Sequence, residues 1–295
     1  MKFTIYHGLN PWSQLIIATF ILIFCTLLLS ILAQIISIII FGYEITLTFE
    51  SQNINALKLM QICQSLGTFV IPPFIIGWLF TGNASEYLTL KRRISSIAVI
   101  LVILTIFVAN PFISFIGKIN NNMVLPEFLS GIEQWIRQME DKNTELVNQF
   151  IQVETIGGII VNLIMIVIIP AIGEELLFRG VIQKIFSRMT KNHHWAIWIT
   201  AILFSALHLQ FYGFIPRTIL GALFGYMLVY SGSIWLPVIG HFVNNLAAAT
   251  FLYLEKTQGL KIDVIEEKIE QWPIAIFSIV LTIFLIRLIK KIHLS

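Results

Sequence analysis

The chain has 295 residues, of which 57% are hydrophobic and 12% charged, with a net charge of +3. Soluble domains carry about 25% charged residues, so this composition excludes an ordinary soluble globular protein. It points instead to an all-α, polytopic transmembrane helix bundle. The basic residues lie beside apolar segments, a pattern that orients a chain across an anionic membrane and speaks against nucleic-acid recognition.

About eight membrane helices are predicted. The first apolar run, 12–41, exceeds the roughly twenty residues needed to span and is too long for the apolar part of a cleavable leader. The second, 60–81, contains Pro72-Pro73, which remove backbone donors and predict a kink. The third, 94–116, has Pro111 near its end. Between 117 and 150, Leu129, Ile132, Trp135, Ile136 and Met139 recur at helical spacing among charged residues. That amphipathic stripe suits a helix on the membrane surface, a cap on the bundle or a solvated connector.

The fourth helix starts near 155, passes through Glu174-Glu175 and ends in the basic stretch Lys184, Arg188, Lys191. The fifth, sixth, seventh and eighth runs cover 193–209, 213–230, 234–254 and 272–289, with Ser231-Gly232-Ser233 as a tight connector. The chain therefore divides into an N-terminal part, 1–150, with three membrane helices and the amphipathic connector; a core, 151–255; and a C-terminal loop and last helix, 256–295. Cys25 and Cys63 sit in apolar segments without metal-ligand spacing and read as inert thiols. With eight crossings, Lys91-Arg92-Arg93, the 184–191 cluster and Arg287, Lys290, Lys291 fall on one side. The acids Asp263, Glu266, Glu267 and Glu270 fall on the other, so both termini are expected to be cytoplasmic.

Polar residues stand out against this background. Glu175 and Arg179 are four apart and can neutralise one another on one helix face, which leaves Glu174 free. His208 closes the fifth run, and His241 and Asn245 share a face of the seventh. Unpaired charges are costly in a bilayer, so three polar stations on three helices read first as a site; a solvated interfacial charge group and simple interhelical glue are the structural alternatives. If helices four and five turn near 188–192, Glu174 and His208 lie at about 21 and 24 Å from one side, at 1.5 Å per residue, and can meet. A carboxylate base with two imidazoles and an amide suits amide hydrolysis. Glu174, His208 and His241 form an alternative zinc set, although the HExxH spacing is absent.

Glu174-Glu175-x-x-x-Arg179, Phe204-x-x-x-His208 and His241-x-x-x-Asn245, in this order, resemble the CPBP (Abi) family of intramembrane proteases, which includes the prenyl-protein (CAAX-type) endopeptidases. The resemblance implies an eight-helix, glutamate-dependent peptidase. In it Glu174 activates water with His208, His241 and Asn245 stabilise the oxyanion, and Glu175, Arg179 and Phe204 are auxiliary. It further implies no catalytic metal, membrane lipids as surroundings and a protein or peptide substrate at the bilayer, in some members prenylated; the oligomeric state is left open. A prokaryotic cytoplasmic membrane is the expected location. Other members are scaffolds or bacteriocin-immunity proteins, and intramembrane Glu and His also suit a proton-coupled transporter. Outside the motifs, Gly221, Gly225, Gly232 and Gly240 are expected to permit close helix packing. Arg217 reads as an interfacial anchor before a binder of a substrate carboxylate.

Overall fold

The computed structural model describes residues 8–42, 53–153, 155–259 and 271–294, and among these it is helical without strands. The helices are α1 Pro11–Phe41, α2 Ile54–Thr81, α3 Ala84–Tyr87, α4 Ser96–Asn121, α5 Ser130–Ile151, α6 Ile156–Thr190, α7 His193–Ala206, α8 Phe214–Ser231, α9 Trp235–Gln258 and α10 Gln271–Leu294. Their ends follow local chemistry. Asn10, Ser95 and Asn192 accept backbone N–H bonds at the starts of α1, α4 and α7, and Pro11 occupies a first-turn position where no donor is lost. Gly82 and Gly232 close α2 and α8 in the left-handed conformation.

Eight helices thus occupy the eight expected runs, but six of the described helices are long and apolar enough to cross a membrane. The other two are α7 and α9. At 14 residues, α7 is about 21 Å long, short of the roughly 30 Å hydrocarbon layer. The second, α9, is diluted by His241, Asn244 and Asn245. Both border the polar cavity described below, where contact with neighbouring helices stands in for apolarity.

In the middle stand α6, α7, α8 and α9. On one flank α1 packs on α2, and α2 on the centre of α6; on the other, α10 packs along α4, which touches α8 and α9. One apolar cluster joins Ala18, Ile76, Phe80, Leu176, Val181 and Val238, and a second joins Val102, Ile106, Phe224, Met227, Leu236 and Ile289. Outside, Phe20, Ile39, Ile100, Phe107 and Phe277 stay exposed, the girdle expected to meet lipid.

The prolines disturb the helices as expected, with specific repairs. Ahead of Pro72-Pro73 the chain widens into a π-helical turn at Leu66–Val70. Around Pro111 the Ser278 hydroxyl of α10 inserts into the ladder of α4, accepting from the Phe112 N–H and donating to the Val108 carbonyl. Ser278→Ala should strand both buried groups. Loss of about 1–2 kcal/mol, read as a lower unfolding temperature in detergent, is the expected result.

Packing explains Gly221, Gly225 and Gly240: an added Cβ would meet Ala201 and Phe204, Ile197, and Met227 at 3.4 Å or less. Gly232 differs from the expectation. Its φ of +65° makes it a left-handed helix cap.

Candidate active site

The segment that carries the first motif is an unusual helix. α6 runs for 35 residues, and π-helical turns at Leu163–Ile168 and Phe178–Ile182 bracket Glu174-Glu175. The first precedes Pro170, whose missing N–H breaks the ladder there. Between the two turns Glu174 and Glu175 are both buried, at 9% and 0% exposure.

Glu175 is the centre of a buried ion group. Its Oε1 lies 2.9 Å from Arg179 Nη1 and 2.8 Å from His241 Nδ1. Neither Glu175 nor Arg179 has an exposed side chain. A carboxylate can only accept, so His241 donates from Nδ1. Arg179 is fixed further by the Gly221 carbonyl of α8 at 2.9 Å, and the Phe204 ring lies 4.7 Å from its guanidinium carbon. The expected Glu175–Arg179 pairing is therefore present. The partner of this pair on α9, His241, lay outside what spacing within one helix reveals.

Phe204 connects the stations. Its ring meets His208 edge-on at 4.9 Å and His241 at 6.1 Å, while Phe224 stacks on His241 at 5.0 Å. His208 is off the helix: α7 ends at Ala206, and His208 occupies the turn that follows. Its Nδ1 donates to the Phe204 carbonyl at 2.7 Å, which leaves Nε2 as an acceptor in the neutral ring.

Glu174, Phe204, His208, His241 and Asn245 all line one cavity of about 570 Å³. Within it, His241 Nε2 lies 3.8 Å from Glu174 Oε2, too far for a direct hydrogen bond. Asn244 donates to Asn245 Oδ1 at 3.3 Å. The predicted residues are thus brought together, as the depth argument required. The zinc alternative would need Glu174, His208 and His241 at ligand distances. Among the described residues no three His, Cys, Asp or Glu side chains form such a group, so this donor set as arranged does not fit a metal.

The cavity also contains residues without a motif signal: Gln61 of α2, Asn143 of α5, Gln210, Arg217 and Asn244. Arg217 corrects the sequence reading. It turns into the cavity, donates to Gln210 Oε1 and keeps Nη1 buried without a partner, so it is not an interfacial anchor. Gly213 leaves it room, since a Cβ there would lie 3.2 Å from Nη2.

α5 closes one side of the cavity. Asn143, Leu146, Val147 and Phe150 line it, while Ile132, Trp135 and Met139 remain exposed as an apolar stripe of the kind that suits a membrane surface. The polar face is latched to the α7–α8 loop. Glu140 accepts from the Tyr212 N–H, Glu133 accepts from the Tyr212 hydroxyl, both at 3.1 Å, and the Arg137 guanidinium covers the Tyr212 ring at 4.1 Å.

Hydrogen bonds from Arg137, the Leu125 N–H and Tyr212 hold the Glu133 carboxyl below the usual range. Such a group supports the docked state above its ordinary pKa and stops doing so as pH falls through the lowered value. Protection from hydrogen exchange over 130–151, taken relative to the intrinsic exchange rate at each pH, should fall as pH drops below the ordinary glutamate range, and Glu133→Gln should lower it at pH 7 and flatten the dependence.

Residues 156–247 match the family described as type II CAAX prenyl endopeptidase Rce1-like. The uncharacterized protein YpbD of Bacillus subtilis (strain 168) is 28% identical over 106 residues, 35% of this chain and 51% of that protein. The chain thus spans about half the length of this curated relative. No solved structure matches. The matched stretch contains Glu174, Glu175, Arg179, Phe204, His208, His241 and Asn245, and its flanks are apolar membrane helices. The similarity to the Rce1-like type II CAAX prenyl endopeptidases thus covers residues 156–247 of this integral membrane chain.

Proposed function

We propose that the chain is an intramembrane endopeptidase in which Glu174 activates water against a peptide bond of a membrane-associated, possibly prenylated, substrate. The observation that carries this reading is a free carboxylate, Glu174, facing His241 Nε2 at 3.8 Å in a cavity that also holds His208, Asn245 and Arg217. A structural carboxylate would be paired, as Glu175 is.

In the proposed reaction Glu174 takes a proton from water and the oxygen attacks the carbonyl carbon. The tetrahedral intermediate collapses with cleavage of the C–N bond, and the proton passes to the leaving amine. His208 Nε2, with its lone pair inward, holds the same water. His241 and Asn245 face the developing oxyanion. Because His241 already donates from Nδ1 to Glu175, its Nε2 donates as well only in the imidazolium form. Both termini are proposed to lie on the cytoplasmic side of a prokaryotic membrane.

The test is cleavage of a panel of farnesylated C-terminal peptides and membrane-protein segments by detergent-purified protein, in metal-stripped and zinc-supplemented buffers. Equal cleavage in both, lost in Glu174→Gln, is expected. Cleavage that needs zinc, or persists in the variant, would sink the mechanism.

A further inference from the structure

The two ends of the bundle differ in charge, and the cavity belongs to one of them. One end holds the turns around α3 and between α6 and α7. There Ser233 Oγ donates to the Arg92 carbonyl, Trp235 Nε1 donates to the Leu90 carbonyl, and Arg188 reaches Gln14 near the start of α1. Lys290 lies over the Tyr230 ring, which brings the end of α10 to the same place. The basic clusters 91–93, 184–191 and 287–291 are therefore gathered at one end, with Glu86 as the acid that accompanies them. The turns that carry them are short, the setting in which the bias of Lys and Arg toward the cytoplasm holds best.

The opposite end holds α5, the α7–α8 loop and the end of α9. Asn120 at the end of α4 bonds the Phe211 carbonyl and the Ile215 N–H, and Tyr212 latches α5. Of the described residues, Lys58, Lys118, Arg137, Lys142 and Lys256 stand there among Glu127, Glu133, Glu140, Asp141, Glu145 and Glu255, so this end lacks the basic excess of the other. The acids at 263–270, expected on this side, lie outside the described residues. This is the end from which the cavity is lined: Asn143 and Phe150 from α5, Gln210 from the loop, Leu252 from α9 and Gln61 from the first half of α2.

We infer that the site is loaded from the non-cytoplasmic face of the membrane, so that its substrates are peptide segments presented on that face; of the two substrate kinds in the proposed panel this selects membrane-protein segments over farnesylated chain ends. The inference rests on the peptidase reading for the word substrate, but the sidedness of the cavity stands apart from any cleavage. The acidic residues of α5 at the mouth suit segments that carry Lys or Arg next to the membrane.

Labelling of single cysteines tests it. Cys25 and Cys63 are first replaced by Ala, and cysteine is then introduced at Thr144 on α5 or at His193, the first residue of α7, both exposed positions that leave every Lys and Arg in place. Asn143→Cys reports on the cavity wall itself. In intact bacterial cells a membrane-impermeant maleimide should label Thr144→Cys and Asn143→Cys at least tenfold faster than His193→Cys. Permeabilising the cells should bring His193→Cys to the same rate. The reverse pattern, equal labelling of both ends, or protection of both until permeabilisation would overturn the inference. Thermal unfolding of each variant in detergent, matched to the parent, excludes misfolding as the cause. Because no cleavage is measured, an inactive protein labelled as expected would count against the peptidase reading alone.

Discussion

Glu174→Gln is expected to abolish peptide cleavage, by roughly 10²–10⁴-fold if loss of the general base is the whole effect, and to leave the unfolding temperature within a few degrees of the parent. The amide is isosteric and keeps the contacts of the side chain with the cavity, but it cannot take the proton from water. Retention of the fold follows from the surroundings. Glu174 makes no hydrogen bond among the described residues, and its nearest charged neighbour in the site is 3.8 Å away. A single set of purified samples gives both readouts: initial cleavage rate and thermal unfolding. Loss of fold together with activity would show that Glu174 is a structural carboxylate, and unchanged cleavage would remove it from the reaction.

Arg179→Met should behave in the opposite way. The guanidinium has no exposed surface, it balances Glu175, and it holds the Gly221 carbonyl between aromatic rings. Its removal leaves a carboxylate buried with only His241 to compensate. Breaking one half of such a pair costs about 3–5 kcal/mol, a large fraction of the 5–15 kcal/mol that typically separates folded from unfolded protein. Detergent-solubilised Arg179→Met is therefore expected to aggregate or to unfold far below the parent. The double variant Glu175→Met, Arg179→Met removes the stranded charge and the acceptor together and should recover part of the stability without recovering cleavage, because His241 then loses the acceptor that orients it. Full stability in the single variant would mean that the pair is not an energetic element of the bundle.

The motif residues were legible because ionisable groups in apolar sequence are costly and therefore conspicuous. The Glu175–Arg179 pair followed from helical spacing alone, and the meeting of Glu174 with His208 from counting residues to a common turn. Contacts between helices were less accessible. Nothing in the spacing of His241 and Asn245 shows that His241 bonds Glu175 rather than pointing to solvent, and nothing before Pro170 announces a π-helical turn. Arg217 was read at the interface because it starts α8, where an interfacial residue and a cavity residue look alike in sequence. His208 was placed on a helix because the apolar run continues past Ala206, although the backbone turns there. Eight described helices occupy the eight expected runs, but six meet the length and apolarity needed to span, because α7 is short and α9 carries the polar residues of the cavity.

Tyr212 has a consequence for timing. It holds α5 through its backbone N–H and its hydroxyl, and it lies four residues from His208 in one short loop. Any displacement of α5 would release the loop that carries His208, so the docking of α5 and the position of that imidazole are coupled through one residue, and the two should change on the same timescale.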